Sequence, residues 1–218
     1  MSDKPERIIK ELLERFGHSY AEEAGIRLAD RPGPLYQLLV LATLLSARIS
    51  ADIAVPAARE LFAAGCKTAA AMTESGWQDR VDALGRAHYR RYDERTATML
   101  GDGAELLLRK WRGDLRKLRD EAGGDTGRVS SLLTEFPGVG PAGASIFLRE
   151  VQEVWPTVAP YVDPRMIEGA RRIGLPDRRE QLAEVLAESG RPAVLAAALV
   201  RVSLSHRAAG EITAVAGA

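Results

Sequence analysis

Three features of the sequence predict an all-α fold. Apolar residues recur at three- and four-residue spacing along nearly the whole chain. No run alternates apolar and polar residues with the β-branched enrichment of a strand. Glycine and proline cluster between the periodic stretches, where they end helices and shape turns.

The first apolar stripe is Ile8, Ile9, Leu12, Leu13 and Phe16, with Gly17 placed as a C-cap. A turn segment, Asp30-Arg31-Pro32-Gly33-Pro34, precedes Leu35–Ala47, which is apolar except at Tyr36, Gln37, Thr43 and Ser46. A helix with so little polar surface belongs at the centre of others. Ser50 or Asp52 caps a helix that runs through Phe62 and Ala63 and stops at Gly65, with Pro56 tolerated only near its first turn. Val81–Leu84 and a long basic segment from Asp93 to Leu118 add further helix, and the segment from Glu121 to Gly127 forms a loop. Two helices flank Phe136-Pro137-Gly138-Val139-Gly140. Beyond Gly174-Leu175-Pro176, two more close the chain, Asp177–Glu188 and Pro192–His206, the second with proline at its first position.

Composition narrows the class further. With 46% hydrophobic and 28% charged residues, the 218-residue chain is globular rather than disordered. Its single cysteine, Cys66, excludes a disulfide framework and any zinc or iron–sulfur site held by several thiolates. No apolar run reaches the roughly 18 residues of a membrane span, and the first residues lack a signal-peptide core. A cytoplasmic protein is expected. Thirty basic residues balance thirty acidic ones, yet residues 86–119 carry ten positive charges against five negative. A local excess of that kind suits a polyanionic partner.

The most informative string is Leu132-Leu133-Thr134-Glu135-Phe136-Pro137-Gly138-Val139-Gly140-Pro141-Ala142-Gly143-Ala144. It predicts a short helix, a tight two-glycine turn and a second helix starting at Pro141. Glycine allows positive φ and close backbone approach, and the second helix's N-terminus collects unpaired N–H groups that suit a phosphate. A plain helix connection that needed glycine would read the same way.

This string resembles the helix-hairpin-helix of the DNA glycosylase superfamily that includes endonuclease III, the MutY-type adenine glycosylases and the AlkA-type alkyl-base glycosylases. In that superfamily a Gly/Pro-rich loop with an essential aspartate follows the hairpin, and here Trp155-Pro156-Thr157-Val158-Ala159-Pro160-Tyr161-Val162-Asp163 takes that place. Leu44-Leu45-Ser46-Ala47-Arg48 is similar to the LLSAQ segment of endonuclease III-like proteins, and Gly85, His88, Tyr89 and Glu94 fall like their next DNA-facing loop. The resemblance spans about residues 8–172.

The resemblance implies a two-lobed helical fold. Residues 30–144 would form a barrel lobe ending in the hairpin, and residues 1–29 with 145–218 a second lobe, with an active-site cleft between them. It makes Asp163 the catalytic carboxylate, stabilising the oxocarbenium-like sugar and positioning water. Asp163 is equally placed to cap a helix ahead of Pro164. Bifunctional relatives carry a lysine where this chain has Ala142, and no lysine follows Lys117, so a monofunctional enzyme without lysine-dependent lyase activity is expected.

Candidate DNA contacts are the hairpin residues Gly138, Val139 and Gly140, with Arg86, Arg90, Arg91 and Arg165 toward phosphates. Arg48 and His88 are candidates for filling the gap left by a flipped base. Tyr89, Tyr92 and Trp111 could stack on a base or belong to the core. The implied partner is double-stranded DNA with a damaged base, in the cytoplasm at the nucleoid, with no membrane and no obligate protein partner. No cofactor and no iron–sulfur cluster is expected, and the carbonyls of Gly138 and Gly140 match a family site for a monovalent cation. A non-catalytic, lesion-sensing DNA binder is the alternative. A helical protein-interaction module is the remaining one.

Overall fold

Helix follows helix in the computed structural model, which describes residues 3–217, and none of these forms a strand. In order they are α1 (Asp3–Arg15), α2 (Tyr20–Glu23), α3 (Pro32–Ser46), α4 (Ala51–Ala63), α5 (Ala69–Glu74), α6 (Trp77–Arg86), α7 (Asp93–Trp111), α8 (Leu115–Glu121), α9 (Thr126–Leu133), α10 (Pro141–Val151), α11 (Pro164–Ile173), α12 (Arg179–Glu188), α13 (Pro192–Leu204) and α14 (His206–Gly217). No helix among the described residues is long and apolar enough to cross a membrane. The all-α expectation is met.

The chain divides into two compact units, residues 21–157 and residues 1–20 with 158–218. These boundaries differ from 30–144, and the packing explains both shifts. The Ala21 N–H donates to the buried Glu150 carboxylate at 2.9 Å, and Ala24 and Ile26 are buried, so the larger unit begins before residue 30. Trp155 is fully buried, packs edge-on against Phe147 of α10 and donates from its indole to Asp30 at 2.9 Å. That anchor holds the segment after α10 in the larger unit.

In that unit α3 is the axis. Nearly every residue from Leu35 to Leu44 is buried, as its unbroken apolar sequence demands, and α4, α8 and α10 pack around it. Ser50 is the N-cap of α4 by backbone only, since its hydroxyl makes no capping bond. Pro56 lies in the second turn, deeper than expected from its missing N–H. The long basic segment is two helices rather than one. Arg112 and Gly113 both adopt positive φ (54° and 77°) and reverse the chain before Asp114 caps α8.

Helix α5 escaped the sequence reading because it is only six residues long. Its fixing element is a buried arginine. Arg80 of α6 donates to the carbonyls of Met72, Ser75 and Ala97, tying α5, α6 and α7 together, and Gly101 of α7 leaves the space its guanidinium fills.

The smaller unit packs α1, α12 and α14 around the α11–α13 pair. Leu12, Met166, Ala170, Leu195 and Leu199 lie at the centre of its core. Gly17 is not a left-handed C-cap as expected; a Cβ there would lie 2.5 Å from the Leu13 carbonyl oxygen, so glycine serves a close backbone approach. The last predicted helix breaks at Ser205, in extended conformation, and α14 follows it.

Candidate functional site

In the larger unit, α9, the turn from Thr134 to Gly140 and α10 form the predicted hairpin. Turn bonds from Phe136 N–H to the Leu133 carbonyl and from Val139 N–H to the Phe136 carbonyl wind it tightly. Gly138 takes φ +83°, and a Cβ there would meet Met99 Sδ at 2.9 Å and Thr43 Cγ2 at 3.3 Å. The glycine therefore satisfies both conformation and space. Gly143 plays the second role alone, since a Cβ would come 3.1 Å from Val139 Cγ1 and 3.4 Å from Ser46 Cβ. These contacts press the hairpin tip between the C-terminal end of α3 and the first half of α7.

The exposed tip carries donors. The N–H groups of Gly140, Ala142 and Gly143 make no hydrogen bond among the described residues, Pro141 has none, and Ala144 N–H closes the first helical bond to the Gly140 carbonyl at 3.0 Å. Converging free N–H groups at the positive end of an eleven-residue helix attract an anion. Val139 offers neither side chain nor N–H to such a ligand: the side chain is buried and the N–H is spent within the turn. The Ser46 hydroxyl donates to the Thr43 carbonyl at 2.8 Å and only approaches the Gly138 carbonyl at 3.4 Å, while the Gly140 carbonyl accepts from Ala144, so both hairpin carbonyls keep a lone pair for a further partner.

Arg48 is exposed two residues beyond Ser46, in the bend after α3. His88 is exposed at φ +60°, with Tyr89 N–H bonded to the Leu84 carbonyl as in a helix-ending loop that normally employs glycine. A histidine in that strained position stands at the tip of the α6–α7 connection. Arg90 and Arg91 follow, both exposed, and the Arg91 guanidinium lies 5.2 Å over the ring of Tyr92.

The basic segment is less uniform than its count implied. Arg86 is held by Glu60, Lys110 by Glu135, Arg116 by Asp114 and Arg119 by Asp30. Among the described residues Arg90 and Arg91 before α7 and Arg95 in its first turn make no ion pair, nor do Arg109, Arg112 and Lys117 around its end. The nineteen residues of α7 put these groups about 27 Å apart. Tyr89 and Trp111 are core residues: Tyr89 accepts from Thr96, and Trp111 stacks on Phe136 and donates to Glu121.

In the smaller unit, Asp163 is the N-cap of α11, with Pro164 at the first helical position. Its Oδ1 accepts from the N–H groups of Arg165 (2.8 Å) and Met166 (3.1 Å), and the residue is 3% exposed. The Arg179 guanidinium donates to the preceding carbonyl, of Val162. Capping therefore does occur, and it locks the carboxylate in one rotamer. Arg165 is exposed, whereas Arg171 and Arg172 pair with Glu168, whose carboxyl is held below the usual range by the Arg172 hydrogen bond. Cys66 is buried, and the described residues contain no group of three or more acidic, histidine or cysteine side chains that could hold a metal.

Together these features define an all-helical fold of the endonuclease III kind. Among solved structures, the chain is similar to an endonuclease III–DNA covalent intermediate, trapped as an estranged-adenine complex. The two share 16% sequence identity and a TM-score of 0.51, over 92% of this chain and 85% of that one. No protein-family model and no curated protein sequence matches the chain.

Proposed function

We propose that this protein is a monofunctional DNA glycosylase of base-excision repair, acting in the cytoplasm on duplex DNA that contains a damaged base. The observation that carries this reading is the hairpin, whose unbonded N–H groups form an anion site on the endonuclease III-like fold. Those groups bind a backbone phosphate, and Arg48 and His88 enter the stack in place of the flipped nucleotide.

As the C1′–N bond breaks, the base leaves with the bonding electron pair and positive charge grows on the deoxyribose. The Asp163 carboxylate stabilises that charge and orients the water that adds to C1′, whose proton is then released. Locked by two N–H groups, the carboxylate needs no rearrangement at the moment of reaction. With Ala142 at the first turn of α10, no amine there forms a Schiff base, so the product is an intact strand with an abasic site. No group is evident to protonate the leaving base, which favours cationic alkylpurines, since these depart neutral. Neither a cofactor nor an iron–sulfur cluster takes part.

The test is base release from duplexes each carrying one lesion, scored with and without alkali. Strand cleavage only after alkali, lost by at least about 100-fold in Asp163→Asn, is the expected result. Asparagine caps helices as well as aspartate, so the variant stays folded. Breaks without alkali would overturn the monofunctional assignment. Salt-sensitive binding without release from any lesion would favour a lesion sensor instead, consistent with the lack of functional side chains at Pro141, Ala142 and Gly143.

A further inference from the structure

We propose that Arg95 is a DNA phosphate anchor that works beside the hairpin, an assignment that rests on the DNA-binding reading above. The contact that points to it is between Met99 of α7 and Gly138, where a Cβ on the glycine would lie 2.9 Å from the methionine sulfur. Met99 is thus the residue of α7 that touches the hairpin tip. Arg95 stands four positions earlier, on the same helix face and about 6 Å nearer the helix start. The next turn inward along that face, Gly103, lies against Phe136, two residues before Gly138 in the same turn. This face of α7 therefore meets the hairpin turn at Met99 and Gly103, and Arg95 lies one helical turn before Met99 on it.

Its surroundings leave the charge available. Arg95 is exposed and has no ion pair or hydrogen bond among the described residues. Of the acidic neighbours, three are occupied or turned aside, and Asp102 lies seven positions, about 10.5 Å, further along α7. The Asp93 carboxylate accepts from Glu94 N–H, Glu135 pairs with Lys110, and Glu94 lies on the adjoining face, in line with Thr98 and Trp77. By contrast Arg86, the nearest arginine on α6 in the same basic segment, is already held by Glu60. On the opposite flank of the tip, Ser46 contacts both Gly138 and Gly143, and Arg48 follows it. In the proposed complex a phosphodiester seats on Gly140, Ala142 and Gly143, and the long, forked guanidinium of Arg95 meets a neighbouring one.

The experiment is equilibrium binding of a labelled duplex with one tetrahydrofuran abasic-site analogue, measured for the wild type, Arg95→Gln, Arg95→Lys and Arg109→Gln across a salt series. Each phosphate contact contributes about 0.9 to the slope of log affinity against log salt. Arg95→Gln is expected to lose one such increment, so that the wild-type advantage shrinks about 3.5-fold between about 50 and about 200 mM salt. Arg95→Lys should restore the slope, and Arg109→Gln, at the far end of α7, should leave it unchanged. A wild-type slope in Arg95→Gln, with wild-type binding itself salt-sensitive, would overturn the anchor and leave the DNA reading intact. Equal loss in Arg95→Gln and Arg109→Gln would also overturn it, as a diffuse field rather than a contact. Binding by the wild type that ignores salt would sink both.

Discussion

The strongest packing constraint in the smaller unit is at Gly169, in the middle of α11. A Cβ built there lies 2.0 Å from the Leu199 carbonyl oxygen and 2.7 Å from its carbon, all backbone atoms of α13. Ordinary contact begins near 3.4 Å, so Gly169→Ala requires the two helices to part by more than 1 Å, and no side-chain rotation can absorb the difference. Overpacking of this kind costs about 1–3 kcal/mol, and the loss of close contact along the α11–α13 interface places it at the upper end. Alanine returns up to about 1 kcal/mol of helix propensity. A net loss of about 2 kcal/mol corresponds to a fall in Tm of about 4–8 °C for a chain of this size. Because α11 also carries Asp163 at its N-cap, base release should fall with it. The assay is thermal unfolding by circular dichroism, with Gly210→Ala as the reference. Gly210 is exposed in α14 with nothing within 4 Å of an added methyl, so the same substitution should leave Tm unchanged or raise it. A Gly169→Ala protein as stable as Gly210→Ala would refute the reasoning.

Two further substitutions test the larger unit. The buried Tyr36 hydroxyl has no hydrogen-bond partner among the described residues, so Tyr36→Phe should stabilise the protein by about 1 kcal/mol in thermal unfolding. Burial, reinforced by the Cys66 thiol, pushes that phenol far above its usual range. A raised folded value means full stability below the unfolded pKa of about 10 and a loss as pH rises past it, so Tyr36→Phe should also flatten the alkaline decline. Tyr89, raised by burial in the same sense, keeps part of that decline in place. At the hairpin, Gly138→Ala must adopt positive φ and displace Met99, which should cost about 1–2 kcal/mol and weaken duplex binding in the same titration used for Arg95.

Local rules accounted for most of the helices. The unbroken apolar run of α3 could only be buried on all sides, and it is the axis of its unit. Pro141 and Pro164 open helices where proline is tolerated, and Asp163 caps as its position before Pro164 requires. The features that were missed had both local and distant causes. Short α5 has too few residues for a periodic signal and is held by Arg80 from the next helix. The break at Arg112 and Gly113 is signalled locally by Gly113 and the N-cap Asp114, a signal hidden by the basic residues on either side. Trp155 moved a unit boundary through a partner 125 residues earlier, Asp30.

The candidate site divides the same way. The two-glycine turn and its following helix are readable in sequence because backbone conformation and N–H supply are local properties. Charge was misleading for the opposite reason: counting ten cations could not reveal that Arg86, Lys110, Arg116 and Arg119 find acidic partners while Arg90, Arg91 and Arg95 make no ion pair among the described residues. Helix type, turns and caps were thus determined by the sequence itself, since they depend on residues within a few positions of one another. Which charges remain available, which glycines are indispensable and where the units divide were decided only by tertiary structure, because each depends on which distant atoms come within a few ångströms.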